Sequence, residues 1–148
     1  MGTLTLPASG SIYLDANGFI YSIERVAPYY PVLDTFWQDI RMQGLSVLTS
    51  ELTLLETLVK PIRNGDQVLE TAFRTVLLTS PDVQLAPIAR DIVERATHIR
   101  AIAGLKTPDA IHAATALELG CGLFLTNDAA FRRVSGLIVT VLSDLLMP

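Results

Sequence analysis

The chain has 148 residues, 50% of them apolar and 18% charged, so it can close one core that buries roughly two-thirds of its unfolded surface, and disorder is excluded. Eleven Lys and Arg against fifteen Asp and Glu leave a net charge of −4. That balance argues against gripping nucleic acid by a broad basic surface, but not against a nucleic-acid enzyme whose own acids are neutralised by bound metal.

Residues 1–10 read as a flexible leader ahead of a single domain, 11–148. The longest uncharged run, 1–14, is interrupted by Thr, Ser, Gly and Pro, too broken for a membrane span and without the basic start of a secretory signal. Ser11–Leu14 is a short β-rich run ending at Asp15, followed by helical patterns over 17–25 and 29–43. Leu45–Leu48 is a second strand. Thr49 and Ser50 supply capping chemistry for a helix from Glu51 to about Lys60, which Pro61 is expected to end. A helix over 66–78, a weaker strand at Asp82–Leu85 and a helix over 87–103 come next. Thr107 as N-cap and Pro108 as first helical residue open a helix over 108–119. Cys121, the single cysteine, allows no internal disulfide and reads as a packing residue in a cytoplasmic protein. Gly122–Leu125 and Leu137–Val141 complete the strands. Strands alternating with helices imply an α/β three-layer sandwich around a central, mainly parallel sheet of four to five strands. Sites in such sheets form beyond the carboxyl ends of the strands.

Four carboxylates stand out against that frame. Asp15 follows the first strand directly and Asp128 follows the strand 122–125 closely, which places both at one sheet edge. In the helix after Ser50, the stripe Leu52, Leu55, Val59 is expected to face inward, and Glu56 lies on or beside it. Asp109 opens a helix that is apolar nearly all round, so it is expected to be buried with that helix. Buried carboxylates must be paired, protonated or metal-bound. No Lys or Arg lies on the inward stripes. Oxygen-only ligation points to Mg²⁺ or Mn²⁺, and so to metal-assisted chemistry at a phosphodiester.

The segments Leu14-Asp15-Ala16-Asn17, Glu56 in LTLLETLV, Pro108-Asp109-Ala110-Ile111-His112-Ala113-Ala114-Thr115-Ala116 and Leu125-Thr126-Asn127-Asp128 resemble, in order and spacing, the four motifs of PIN-domain ribonucleases. They are most similar to those of VapC-type toxins of bacterial toxin–antitoxin pairs, and the resemblance runs from about residue 11 to 146. It implies a PIN-like fold, Mg²⁺- or Mn²⁺-dependent cleavage of RNA, a cognate antitoxin and a homodimer. Asp15, Glu56, Asp109 and Asp128 would form the catalytic quartet, with Asp15, Asp109 and Asp128 on the metal. Thr126, Asn17, Asn127 and Arg132 are candidate supporting or substrate-contacting residues.

Other side chains have plainer readings. His112, in an Ala-rich helix, reads as a hydrogen-bonded core residue rather than a base, and His98 as a surface residue. Arg132, Arg133 and Lys106 are placed to meet phosphate or solvent near the acidic edge. The aromatics Tyr29, Tyr30, Phe36 and Trp37 read as core or partner-groove packing, with the segments 29–43 and 50–60 as candidate partner surfaces. A haloacid-dehalogenase-like phosphatase would need a second Asp where Asn17 stands and a later Lys. A receiver domain would need that Lys as well, and none follows Lys106. The remaining alternative is a catalytically silent module of the same fold that binds RNA or protein.

Overall fold

The computed structural model describes residues 2–146. Met1, Met147 and Pro148, included in the leader and domain boundaries above, lie outside the described residues. The chain runs β1 (Ser11–Leu14), α1 (Ala16–Ile23), α2 (Tyr30–Gln43), β2 (Ser46–Ser50), α3 (Leu52–Arg63), α4 (Gln67–Thr79), β3 (Val83–Ala86), α5 (Arg90–Ala103), α6 (Thr107–Glu118), β4 (Leu123–Thr126), a 3₁₀ turn (Ala129–Arg133), β5 (Val139–Val141) and α7 (Leu142–Leu145).

The five strands form one sheet in the order β3-β2-β1-β4-β5, and every neighbouring pair is parallel. Alternation along β1 divides the core. Ile12 and Leu14 join Phe19, Leu33, Phe36 and Ile40 beneath one sheet face. Tyr13 points the other way, into Phe124, Ile92, Ala96, Ala113 and Phe131. Small residues on α6 let that helix lie close to the sheet, and Ala110, Ala113, Ala114 and Ala116 are all buried. From β1 the chain winds outward through β2 to β3, then returns to the opposite side of β1 for β4 and β5. The C-terminal ends of β1 and β4 therefore flank a topological switch point, where a crevice opens.

Two expectations are corrected. Pro61 does not end α3, which continues to Arg63 with the Pro61 ring buried. The ring comes one turn before the helix end, and burying it outweighs the single missing N–H donor. The stripe Leu52, Leu55, Val59 is not the inward face: Leu55 is 61% exposed, Val59 43% and Ile62 53%, while Thr53, Thr57 and Leu58 are buried. Thr53 and Thr57 are tolerated inside because their hydroxyls bond Thr49 Oγ1 and the Thr53 carbonyl. Residues 4–10 have no regular structure; Leu4 and Leu6 pack on the core, and the Ser46 N–H bonds the Gly10 carbonyl. Elsewhere the expected strands and helices occur within a few residues of their expected limits.

Candidate active site at the carboxyl edge of the sheet

Asp15 ends β1 and serves as the N-cap of α1. Its side chain is buried. Oδ2 accepts the Thr126 hydroxyl at 2.6 Å and Oδ1 accepts the Gly18 N–H at 3.4 Å. Thr126 Oγ1 in turn accepts the Asp128 N–H at 3.1 Å, so one hydroxyl at the end of β4 links the two strand-end aspartates. Asp128 caps the 3₁₀ turn through Ala130 N–H at 2.9 Å and is exposed at the rim. Asp109, in the first turn of α6, is half-buried. Glu56, midway along α3, is partly buried, and its Oε1 sits 2.5 Å from His112 Nε2.

A cleft of about 180 Å³ is lined by Asp15, Ala16, Asn17, Ile20, Glu56, Asp109 and His112. Burial pushes the Asp15 carboxyl above the ordinary carboxylate range, and Glu56 adds to the rise against the opposing hydrogen bond from Thr126. The Asp109 carboxyl is also raised, first by burial and then by Asp128 and Glu56. Charges on Asp15, Glu56 and Asp109 therefore converge on one cleft, with Asp128 beside Asp109 at its rim, and repel one another. Among the described residues none of the four is ion-paired with Lys or Arg. Nor do three His, Cys, Asp or Glu side chains stand close enough there to share one ion. The donor set nonetheless fits a hard divalent cation in its chemistry: carboxylate oxygens, that of Asp15 buried, without a Lys or Arg counter-charge.

The supporting candidates divide. Thr126 orients Asp15, and Asn17 lines the cleft. Asn127 is engaged elsewhere, its Oδ1 accepting the Ser143 N–H and its Nδ2 donating to the Tyr21 hydroxyl, so it fastens α7 and α1 to the end of β4. Arg132 pairs with Asp144 on the surface. Arg133 and Lys106 have no carboxylate partner among the described residues, and Lys106 immediately precedes α6 beside Asp109.

Sequence reasoning missed a connection. Tyr13 Oη lies 2.6 Å from His112 Nδ1 and accepts the Ser50 N–H at 3.0 Å, so Tyr13, His112 and Glu56 form one hydrogen-bonded chain through the core to the cleft. The available signal was a Tyr and a His in otherwise apolar buried segments, whose polar atoms must find partners.

A parallel three-layer sandwich with a carboxylate cleft at its switch point defines the class: an α/β protein with an acidic cleft at the sheet edge. The model of the PIN domain matches residues 12–137, and the chain belongs to that family. Comparison with curated proteins gives no match. Among solved structures, VapBC2 from Rickettsia felis bound to a promoter DNA fragment superposes with a TM-score of 0.71, at 14% identity over 88% of this chain and 98% of that one. FitAcB from Neisseria gonorrhoeae gives 0.69 at 17% identity over 90% and 99%. VapC20 of Mycobacterium tuberculosis, a Sarcin-Ricin loop cleaving toxin, gives 0.69 at 18% identity over 86% and 96%. At these identities the likeness is one of fold.

Proposed function

We propose that the chain is a divalent-metal-dependent endoribonuclease and the toxin of a toxin–antitoxin pair. The observation that carries this is the acidic cleft, where carboxylates from β1, α3 and α6 come together with the β4-exit Asp128 at the rim beside Asp109, none of them ion-paired with Lys or Arg among the described residues. PIN nucleases generally use divalent metal ions, and Mg²⁺ or Mn²⁺ suits this donor set. Asp15, Asp109 and Asp128 are the residues to hold it. When bound, the ion would supply a more acidic water and neutralise charge on the scissile phosphate.

The chain's own residues then have separable tasks. Glu56 takes the proton of the attacking water, whose oxygen bonds to phosphorus as the P–O3′ bond breaks and the leaving 3′-oxygen takes a proton from solvent. The products are a 5′-phosphate and a 3′-hydroxyl. Thr126 holds Asp15 in place, and Arg133 and Lys106 are the cations free to meet neighbouring phosphates. The exposed row Leu55, Val59 and Ile62 borders a groove with Leu54, Leu58, Arg63 and Arg74. An apolar row of this kind supports a protein partner, an antitoxin or a second copy. The solved relatives named VapBC2 and FitAcB agree with an antitoxin. Among the described residues no helix is long and apolar enough to cross a membrane, in keeping with a cytoplasmic site of action.

The test is cleavage of RNA by the purified chain in Mg²⁺, with an EDTA arm and Mn²⁺ restoration. Asp15→Asn, Asp109→Asn and Asp128→Asn are each expected to abolish cleavage, and induction of the wild type but not Asp15→Asn to arrest bacterial growth. RNA bound but uncut by wild type under every metal would establish the silent module instead. Full cleavage by Asp109→Asn would remove the assigned site.

A further inference from the structure

Glu56, partly buried on α3, reaches the cleft on a flexible side chain. What holds it is His112, which is 2% exposed and sits one helical turn after Asp109 on α6. One tautomer satisfies the whole chain of groups. Tyr13 Oη accepts the Ser50 N–H and donates its own proton to His112 Nδ1, leaving Nε2–H to donate to Glu56 Oε1. The far end is rigid, because the Tyr13 ring is buried in β1 and stacks on Phe124 with centroids 5.0 Å apart and planes 4° from parallel. The Ser50 amide belongs to β2. The orientation of a cleft carboxylate on one layer is thus set by two central strands and a helix of the opposite layer.

We infer that His112, fixed by Tyr13, is a positioning residue for Glu56: it engages Oε1, selects one rotamer of a long side chain and leaves Oε2 as the oxygen presented to the cleft. Hydrogen-bonded partners of this kind commonly account for about 10–100-fold in activity when they support a carboxylate or histidine at a metal site, because a base displaced by about an ångström loses its geometry. The catalytic part of this role presupposes the nuclease activity proposed above, whereas the hydrogen-bond chain does not.

The test pairs His112→Gln with His112→Asn. Glutamine carries its amide nitrogen as far along the side chain as Nε2, whereas asparagine carries it at the level of Nδ1. In steady-state RNA cleavage, His112→Asn should lower kcat by about 10–100-fold with little change in KM, and His112→Gln should recover most of the loss. Tyr13→Phe keeps the stacked ring and should lose less than His112→Asn, in the same parameter. Added to Glu56→Gln, His112→Asn should cost nothing further, since it acts through Glu56. In metal-free protein, ring ¹⁵N resonances should show Nε2 protonated and Nδ1 bare, with the ring proton shifted in Glu56→Ala. A wild-type kcat in His112→Asn, additive losses in the double variant, or an Nδ1–H tautomer would each overturn the role. If wild type and Asp15→Asn treat RNA alike, the nuclease function itself fails, and the ring resonances still decide the hydrogen-bond chain.

Discussion

Replacing Asp15 by Asn in metal-free protein should raise its melting temperature, although it removes a residue central to the site. Asp15 is buried, and its nearest charged neighbours include Glu56, while its support consists of neutral donors, the Thr126 hydroxyl and the Gly18 N–H. Burial holds the carboxyl above its ordinary range, so ionising it costs more in the native state than in the unfolded chain. A tenfold difference in proton affinity between the folded and unfolded states corresponds to about 1.4 kcal/mol of stability. For a chain of this length, about 1.4 kcal/mol is about 3–6 °C in Tm. Asparagine caps a helix about as well as aspartate. Its carbonyl oxygen can still accept from Thr126, and the Gly18 N–H keeps the Asp15 main-chain oxygen at 3.1 Å, so the loss on the polar side is small. A bound cation reverses the order: Mg²⁺ at a hundredfold excess over its dissociation constant adds about 2.7 kcal/mol to wild type, and the Asn variant should gain much less. Melting curves in EDTA and in Mg²⁺ read both effects. An Asp15→Asn protein that melts earlier without metal, beside a wild type indifferent to Mg²⁺, would refute the placement of an uncompensated charge here.

Two further outcomes follow from the same packing. Because the Asp15 and Asp109 carboxyls are raised, the native state binds more protons than the unfolded chain between the ordinary carboxylate range and the raised midpoints, so their contribution to stability is present at low pH and lost as the pH rises through those midpoints. In urea unfolding with EDTA, the advantage of Asp15→Asn or Asp109→Asn over wild type should therefore close at low pH and widen toward neutrality; a gap independent of pH would contradict it. Gly18→Ala should destabilise, because the added Cβ would stand 2.2 Å from Leu14 Cδ1 and 2.5 Å from Cγ, and Leu14 is fully buried. Overpacking of that kind costs about 1–3 kcal/mol, more than the roughly 1 kcal/mol that Ala gains over Gly in a helix. Thermal unfolding measures the difference, and a variant as stable as wild type would mean that Leu14 repacks freely.

How much of this was legible differs from element to element. Alternating strand and helix patterns announced a parallel three-layer α/β fold, because a parallel strand must be buried on both faces and needs a helical crossover. β5 was legible as Leu137–Val141, although only Val139–Val141 pair in register with β4. The face of α3 was not legible. Its stripe Leu52, Leu55, Val59 satisfies helical periodicity, yet Thr53 and Thr57 took the interior because buried Thr hydroxyls found carbonyl and hydroxyl partners there. Pro61 was misjudged for a related reason, since a rule about isolated helices omits what burying the ring returns.

The sequence alone determined which acids the chain carries, their order, and that Asp15 and Asp128 leave strands at one edge, since strand direction and crossover handedness are local and general constraints. Tertiary structure decided the rest. Strand order brought β1 beside β4, so that Thr126, 111 positions after Asp15, supplies its hydrogen bond. Packing of α6 on β1 brought His112 onto Tyr13 and Glu56. It also settled that Asn127 and Arg132 are held by Ser143, Tyr21 and Asp144 rather than facing the cleft. Such partnerships depend on distances between segments remote in sequence, and residue spacing along one chain carries no record of them.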